Sequence, residues 1–196
     1  MLSAKVSYLD AVLFTHTHAD HCHGFDDLRQ LAFTNSNIIP CWARQDHIDD
    51  LKNRFSYVFT NQGYRGITPK VVMNPIENSP ISVAGLEVEW EEVPHGHTKS
   101  TAFKFGDFVY ITDFKMLPEN IIEKWKGKIS TMIASGVRHS PHPTHSSIPQ
   151  TCELFNKLEV NQGYITHLSH DVDHVKDSLS LPSGVKFAHD GLKIEI

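Results

Sequence analysis

The stretch "FTHTHADHCHGFDDLR" at residues 14–29 decides how the chain is interpreted, because it places four histidines directly after a short apolar run. The preceding "YLDAVLFT" (8–15) predicts a buried strand. Side chains alternate along a strand, so His16 and His18 are expected to project to one side, with Asp20 and His21 one turn further on. Four ligand-type side chains would then converge on a small volume. A polar loop that is rich in histidine by chance is the alternative, but unpaired polar groups at a buried strand end are costly.

The composition limits the class of protein. The chain has 196 residues, 40% of them hydrophobic, which is enough for an ordinary globular core. Its net charge of -5 and its 18 scattered basic residues disfavour nucleic-acid binding. Three distant cysteines indicate neither a disulfide framework nor a thiolate zinc cluster, and no apolar stretch reaches the length of a membrane span. We therefore expect a cytoplasmic protein. The 14 histidines point to metal chemistry.

Periodicity predicts a mixed α/β fold in a single domain spanning residues 1–196. After the first strand, helices are expected at 24–33, 45–55, 118–126 and 149–158. Strands are expected within 37–43, 70–76, 81–93, 101–113, 131–135 and 163–168, with turns at Gly85 and at Gly106 and Asp107, followed by a closing hairpin at 185–196. Asp190 and Gly191 would form the turn of that hairpin.

The motif "THTHADH" (15–21) resembles the HxHxDH signature of the metallo-β-lactamase superfamily. The resemblance implies an αββα sandwich and predicts a later histidine, an aspartate at a strand end and a final histidine. His95 in "VPHGH", Asp113 in "VYITDF" and His167 in "YITHLSH" follow in that order. His97 is the alternative to His95, and Asp113 could instead be an ordinary turn residue at the end of its strand.

Further motifs narrow the resemblance to one subgroup. "PHGH", "GDFVYITD", "PHPTH" (141–145) and "THLSHDVDH" (166–174) look like the subgroup of the phosphoribosyl cyclic phosphate phosphodiesterase, which is akin to the tRNA 3′-processing ribonucleases. The resemblance implies that His16, His18 and His95 hold one divalent ion and that Asp20, His21 and His167 hold the other, with Asp113 bridging. The ions would be zinc or manganese, with iron as an alternative.

The resemblance also implies the chemistry. The expected activity is hydrolysis of a small or cyclic phosphodiester by a water that two metal ions activate. His145 and the ligand Asp20 are the candidate catalytic residues. The alternative for His145 is a polar turn before a helix capped by Ser146 or Ser147, and His142 could orient a neighbouring group. The partner would be a small-molecule phosphodiester rather than a nucleic acid or a membrane, and the sequence is compatible with a homodimer.

Two departures from the subgroup define the alternatives. Few residues precede the histidine motif, so we expect the sandwich to lack its first N-terminal strands, and His170 would lose the cysteine partners of a structural zinc site. In "ASGVRH" (134–139), Ser135 and Gly136 stand where the subgroup tends to have an acid. Hydrolysis of another ester class (a thioester, a lactam or an RNA 3′ end) and a truncated remnant without catalytic activity are therefore the alternative functions.

Overall fold

The protein is described by a computed structural model that covers residues 5–34, 38–60 and 66–196. The chain divides into two compact units, Met1–Leu86 and Glu87–Ile196. Each unit contains a β-sheet and helices, so the predicted mixed α/β class is confirmed. The prediction of a single domain stays a prediction.

The first unit is built on a small parallel sheet. Its three paired strands lie in the order β1, β2, β3, with Val12 opposite Cys41 and Pro40 opposite Val72. The strands of this unit are β1 (Val12–Leu13), β2 (Ile39–Ala43), β3 (Val71–Pro75) and β4 (Ile81–Val83). The helices are α1 (Ala19–Cys22), a 3-10 helix (His23–Asp27), α2 (Leu28–Thr34), α3 (Gln45–Arg54) and α4 (Ser56–Phe59). Phe14, Phe25, Ile48 and Leu51 belong to one buried core that fixes the histidine segment between β1 and α2.

The second unit is built on a mixed sheet with strand order β10, β9, β8, β7, β6, β5. Its strands are β5 (Leu86–His95), β6 (Thr98–Phe105), β7 (Phe108–Ile111), β8 (Thr131–Ser135), β9 (Gln162–Thr166) and β10 (Val185–Phe187). The helices are α5 (Glu119–Trp125), α6 (Ile148–Leu158) and α7 (His174–Ser178). Trp125, Met132, Phe155 and Leu158 are among the buried residues that join α5 and α6 to the sheet.

Strand direction in the second unit determines where its polar residues collect. Strands β7, β8, β9 and β10 are mutually parallel, and β5 runs in the same direction because β6 is antiparallel to both β5 and β7. The carboxyl ends of β5, β7, β8 and β9 therefore lie at one edge of the sheet. Loops at such an edge are the usual place for a site in a layered α/β fold.

Most predicted elements are present, with shifted ends. Helix α3 and strand β8 match their predictions closely, and residue 37, the first of the second predicted strand, lies outside the described residues. The helix predicted at 24–33 is instead a 3-10 helix followed by α2. The closing hairpin is wrong: β10 pairs in parallel with β9, and residues 192–196 form no strand. The turn at Gly191 does form, with Leu192 N donating to His189 O at 3.0 Å, but the residues after it find no strand partner.

Candidate functional site

The predicted ligands of the first unit lie together in the segment after β1. The rings of His16 and His18 have centroids 4.7 Å apart, and those of His16 and His21 are 4.2 Å apart. His16 is buried, whereas His18 and Asp20 are exposed. His21 Nε2 lies 3.3 Å from Asp20 Oδ2. The structure thus brings the four side chains of the histidine motif into one cluster.

Local hydrogen bonds explain how this segment turns. His18 precedes α1, and its carbonyl oxygen accepts from His21 N at 3.0 Å and from Cys22 N at 3.2 Å. The buried Cys22 thiol lies against Thr17 O at 3.4 Å. Asp20 and His21 are consequently placed on the first turn of a helix, directly after the extended residues that carry His16 and His18.

In the second unit, His95 has a defined ring orientation. Its Nδ1 lies 3.2 Å from Thr144 O. Because a carbonyl oxygen only accepts, Nδ1 carries the proton, and in the neutral ring Nε2 carries the lone pair. Gly96 permits this contact, since a Cβ at this position, where φ is +57°, would lie 2.9 Å from Thr144 Cγ2. His97 is exposed in the turn that follows, so the structure places His95 rather than His97 in the polar cluster of this unit.

Asp113 is the centre of that cluster. Its carboxylate is buried, with Oδ2 3.6 Å from His95 Nε2 and Oδ1 3.4 Å from His167 Nε2. Oδ1 also lies 3.7 Å from His145 Nδ1. The four residues come from the ends of β5, β7 and β9 and from the loop after β8. The common edge of the sheet therefore assembles the residues that the sequence separates by more than 70 positions.

The donor set of this cluster fits a divalent metal. With its proton on Nδ1, a neutral His95 directs the Nε2 lone pair toward a carboxylate oxygen 3.6 Å away. Two electron-rich atoms at that distance in a buried site require a cation, either a proton on Nε2 or a metal ion. Metal-binding histidines usually donate their other N–H to a carbonyl or carboxylate, as His95 does. Imidazole nitrogen and carboxylate oxygen are ligands that zinc, manganese and iron accept.

His145 lies beside the Asp113 carboxylate and packs against two other histidine rings. Its ring is stacked on that of His167 with centroids 5.4 Å apart, and it meets the His95 ring at 4.8 Å. The side chain is 17% exposed, so the imidazole borders both the buried carboxylate and solvent. This is a suitable position for a group that transfers a proton to or from a substrate.

The loop that carries His145 is held from within by His142. Backbone N–H groups of Thr144 and His145 both donate to His142 Nδ1, each at 3.3 Å. Nδ1 is therefore an acceptor, and the neutral ring carries its proton on Nε2. Burial is the main reason that the pKa of His142 lies below its ordinary value, and the charge of His145 adds to it.

Lys115 holds the same loop from the other side, and sequence reasoning missed it. Its Nζ donates to His142 O at 2.6 Å, to His145 O at 3.3 Å and to Gln150 Oε1 at 3.3 Å. Gln150 in turn completes a capping box with Ser147, which is the N-cap of α6. One of the two capping serines that the sequence suggested is thus correct. The signal available in the sequence was the position of this lysine, two residues after Asp113 at the end of a strand.

The chain belongs to the family described as the Beta-lactamase superfamily domain, whose match covers residues 2–168. This family comprises metal-dependent hydrolases with the metallo-β-lactamase fold. Among solved structures, the chain is similar to a diphosphatase from the PhnP family, with a TM-score of 0.88 and 34% identity over 98% of this chain and 73% of the other. It is also similar to the short form of human tRNase Z, with a TM-score of 0.64 and 12% identity over 99% of this chain and 80% of the other, a likeness that shows the fold alone.

A curated relative is an octanoyltransferase from Porphyromonas gingivalis, 31% identical over 195 residues. The match takes in 98% of this chain but spans only 39% of the length of that relative. Among the described helices, none is both long and apolar enough to cross a membrane.

Proposed function

We propose that this protein is a two-metal phosphodiesterase that acts on a small or cyclic phosphodiester. The observation that carries the proposal is the buried Asp113 carboxylate between the imidazoles of His95 and His167, with the His95 tautomer fixed by Thr144 O. The 34% identity to a diphosphatase supports phosphoester chemistry. Following the ligand order implied by the family, one ion would be held by His16, His18 and His95. The other would be held by Asp20, His21 and His167, with Asp113 bridging.

The roles of the protein groups follow from this assignment. Two bound divalent ions would supply the Lewis acidity that makes a water nucleophilic at neutral pH and that holds a phosphoryl oxygen. His145, 3.7 Å from Asp113 and partly open to solvent, donates a proton to the departing oxygen. Thr144 O keeps His95 in the tautomer that presents Nε2, and Asp20 acts with its neighbour His21 as an anionic ligand that offsets the charge of the cations.

The first test is hydrolysis of bis(p-nitrophenyl) phosphate by protein reconstituted with manganese or zinc, with bound metal measured by plasma emission spectroscopy. His18→Ala and His95→Ala should lose metal and turnover together, whereas His145→Ala should retain metal and lose rate. The matched control is His97→Ala, which removes an exposed histidine two residues from His95 and should behave as the parent. A folded, metal-loaded parent that does not turn over the diester would refute the phosphodiesterase assignment.

A second candidate is hydrolysis of an acyl thioester, which the likeness to an octanoyltransferase favours. The same reconstituted samples should then release thiol from octanoyl-coenzyme A, with the same dependence on His95. Metal-loaded protein that hydrolyses neither the diester nor the thioester would support the non-catalytic alternative.

A further inference from the structure

Three buried hydroxyl groups in the second unit have no hydrogen-bond partner among the described residues. They are Thr101 Oγ1 in β6, Thr112 Oγ1 directly after β7 and Ser135 Oγ at the end of β8. All three residues are at most 2% exposed. Buried hydroxyls are nearly always hydrogen-bonded, either to protein or to ordered water, because otherwise they lose their hydration without compensation. These three groups therefore need hydrogen bonds from bound solvent.

The three hydroxyls share one face of the sheet and lie in a row. Each is next in sequence to a residue of the apolar core on the opposite face, namely Ala102, Ile111 and Ala134. Strands β7 and β8 are parallel with Ile111 opposite Ala134, so Thr112 and Ser135 are neighbours one residue further on. The antiparallel register of β6 with β7, extended by two residues, brings Thr101 to the other side of Thr112.

The spacing of this row suits bridging water. Neighbouring strands of a sheet are about 4.8 Å apart, which exceeds the length of a direct O–H···O hydrogen bond of about 2.8 Å. A water molecule between two such hydroxyls can accept a hydrogen bond from one and donate a hydrogen bond to the other. Buried waters typically make about three hydrogen bonds to polar groups that lack other partners. Hydroxyls on three adjacent strands can supply those bonds.

The middle hydroxyl of the row directly precedes a candidate metal ligand. Thr112 is followed by Asp113, whose φ is +49°. The Thr112 carbonyl, which belongs to the peptide unit that leads into Asp113, accepts from Ser100 Oγ at 2.6 Å. Strained backbone conformations persist only where neighbouring groups hold them. A water bound to the Thr112 hydroxyl would hold this residue at a second point.

We propose that Thr101, Thr112 and Ser135 bind internal water and that Thr112 is a positioning residue for Asp113. The role toward Asp113 as a metal ligand rests on the proposed two-metal function, whereas the hydration of the row is independent of it.

The first test is a high-resolution crystal structure of the full chain without added metal. An ordered water should lie about 2.8 Å from the hydroxyls of two of the three residues. Thr101→Val keeps the shape of the side chain but removes the hydroxyl, so the urea midpoint of the metal-free protein should fall as the water loses a partner. A hydroxyl that binds nothing would give the opposite sign, because a methyl group carries no desolvation cost in its place. A row without such water, or a raised midpoint, would overturn the proposal.

The second test measures the geometry at Asp113 in cobalt-substituted protein. Thr112→Val should shift the visible absorption of bound cobalt and lower kcat for bis(p-nitrophenyl) phosphate by about tenfold at unchanged metal content, with a smaller change in KM. Thr112→Ser, which keeps the hydroxyl, should restore the spectrum and the rate. Thr131→Val changes a buried threonine at the opposite end of β8 and serves as the control.

A spectrum and kcat of Thr112→Val equal to those of the parent would overturn the positioning role. A parent that turns over no diester would refute the proposed function instead. In that case the crystal structure and the urea midpoints would still decide whether the row binds water.

Discussion

Replacing Lys115 with methionine should both destabilise the protein and slow the chemistry assigned to His145. The ammonium makes one short hydrogen bond, to His142 O at 2.6 Å, and two long ones at 3.3 Å to His145 O and Gln150 Oε1. Hydrogen bonds to charged groups contribute about 1.5–3 kcal/mol each when well formed. Because two of these are long and water can reach part of the site, we expect a total loss of about 2 kcal/mol.

The effect on rate has a different signature. Lys115 touches the carbonyl of His145 and not its ring, so it is a positioning residue for the imidazole. Loss of this anchor should lower kcat by about tenfold and leave bound metal unchanged, because small errors in placing a proton donor are costly. The pH profile of kcat should also broaden or shift as the imidazole samples other orientations.

The assays are urea denaturation and steady-state hydrolysis of bis(p-nitrophenyl) phosphate, with Lys126→Met as the matched control. Lys126 pairs with Glu159 at 3.3 Å, and both side chains are more than half exposed, so this pair should contribute little. The free energy of unfolding should fall for Lys115→Met and stay near that of the parent for Lys126→Met. If the two variants have the same stability and the same kcat, the anchoring role of Lys115 is refuted.

Three further predictions concern metal, packing and pH. Asp113→Asn keeps the shape of the side chain but removes its charge beside His95 and His167. The amount of metal bound per chain should therefore fall while the circular dichroism spectrum stays that of the parent. Full metal occupancy in the variant would contradict the role of Asp113 as a ligand. Gly163→Ala would place a Cβ 2.4 Å from Phe155 Cδ2, so denaturation should show a loss of about 1–3 kcal/mol, whereas Gly24→Ala, with nothing within 4 Å, should cost little. A hydrogen bond from Lys104 holds the pKa of Glu89 below its ordinary value near 4.5. The ionised Glu89 carboxylate therefore stabilises the folded protein above pH 4.5, and this contribution is lost as the pH falls through the pKa of the folded state. Glu89→Gln should therefore lose less stability than the parent between pH 6 and pH 3. Urea midpoints that fall by the same amount in both proteins over this range would contradict the prediction.

The sequence predicted the strand-end position of the polar residues better than the extent of the strands. The pattern from residues 8 to 15 predicted a strand of eight residues, yet β1 contains only Val12 and Leu13, with one further hydrogen bond from Phe14 N to Trp42 O. Apolar periodicity reports which residues prefer a pleated, half-buried surface, but the length of a strand also depends on a partner. That partner is β2, whose register with β1 begins at Cys41.

Ser135 and Gly136, which follow the pattern of a strand end in the sequence, are tightly packed. A Cβ on Gly136 would lie 2.7 Å from Ile165 Cγ2 and 3.4 Å from Ile148 Cα, so this position accepts no larger side chain without movement of β9 or α6. Ser135 is fully buried, and its carbonyl accepts from Thr151 Oγ1 at 2.7 Å. The packing around Gly136 therefore limits the size of the residue at this position, and the sequence alone did not predict this limit.

The backbone at two candidate ligands is strained, and no sequence pattern predicted this. Asp113 has φ of +49° and His167 has φ of +59°, the left-handed region in which a non-glycine residue costs about 1–2 kcal/mol. Glu159 is also left-handed, but it caps the end of α6, where that conformation is common. Asp113 instead lies two residues after the end of β7, and His167 directly follows β9; Asp113 Oδ1 and His167 Nε2 are 3.4 Å apart. Glycine would relieve the strain at either position, so the presence of a carboxylate and an imidazole indicates that their chemistry, rather than the stability of the fold, determines these two residues.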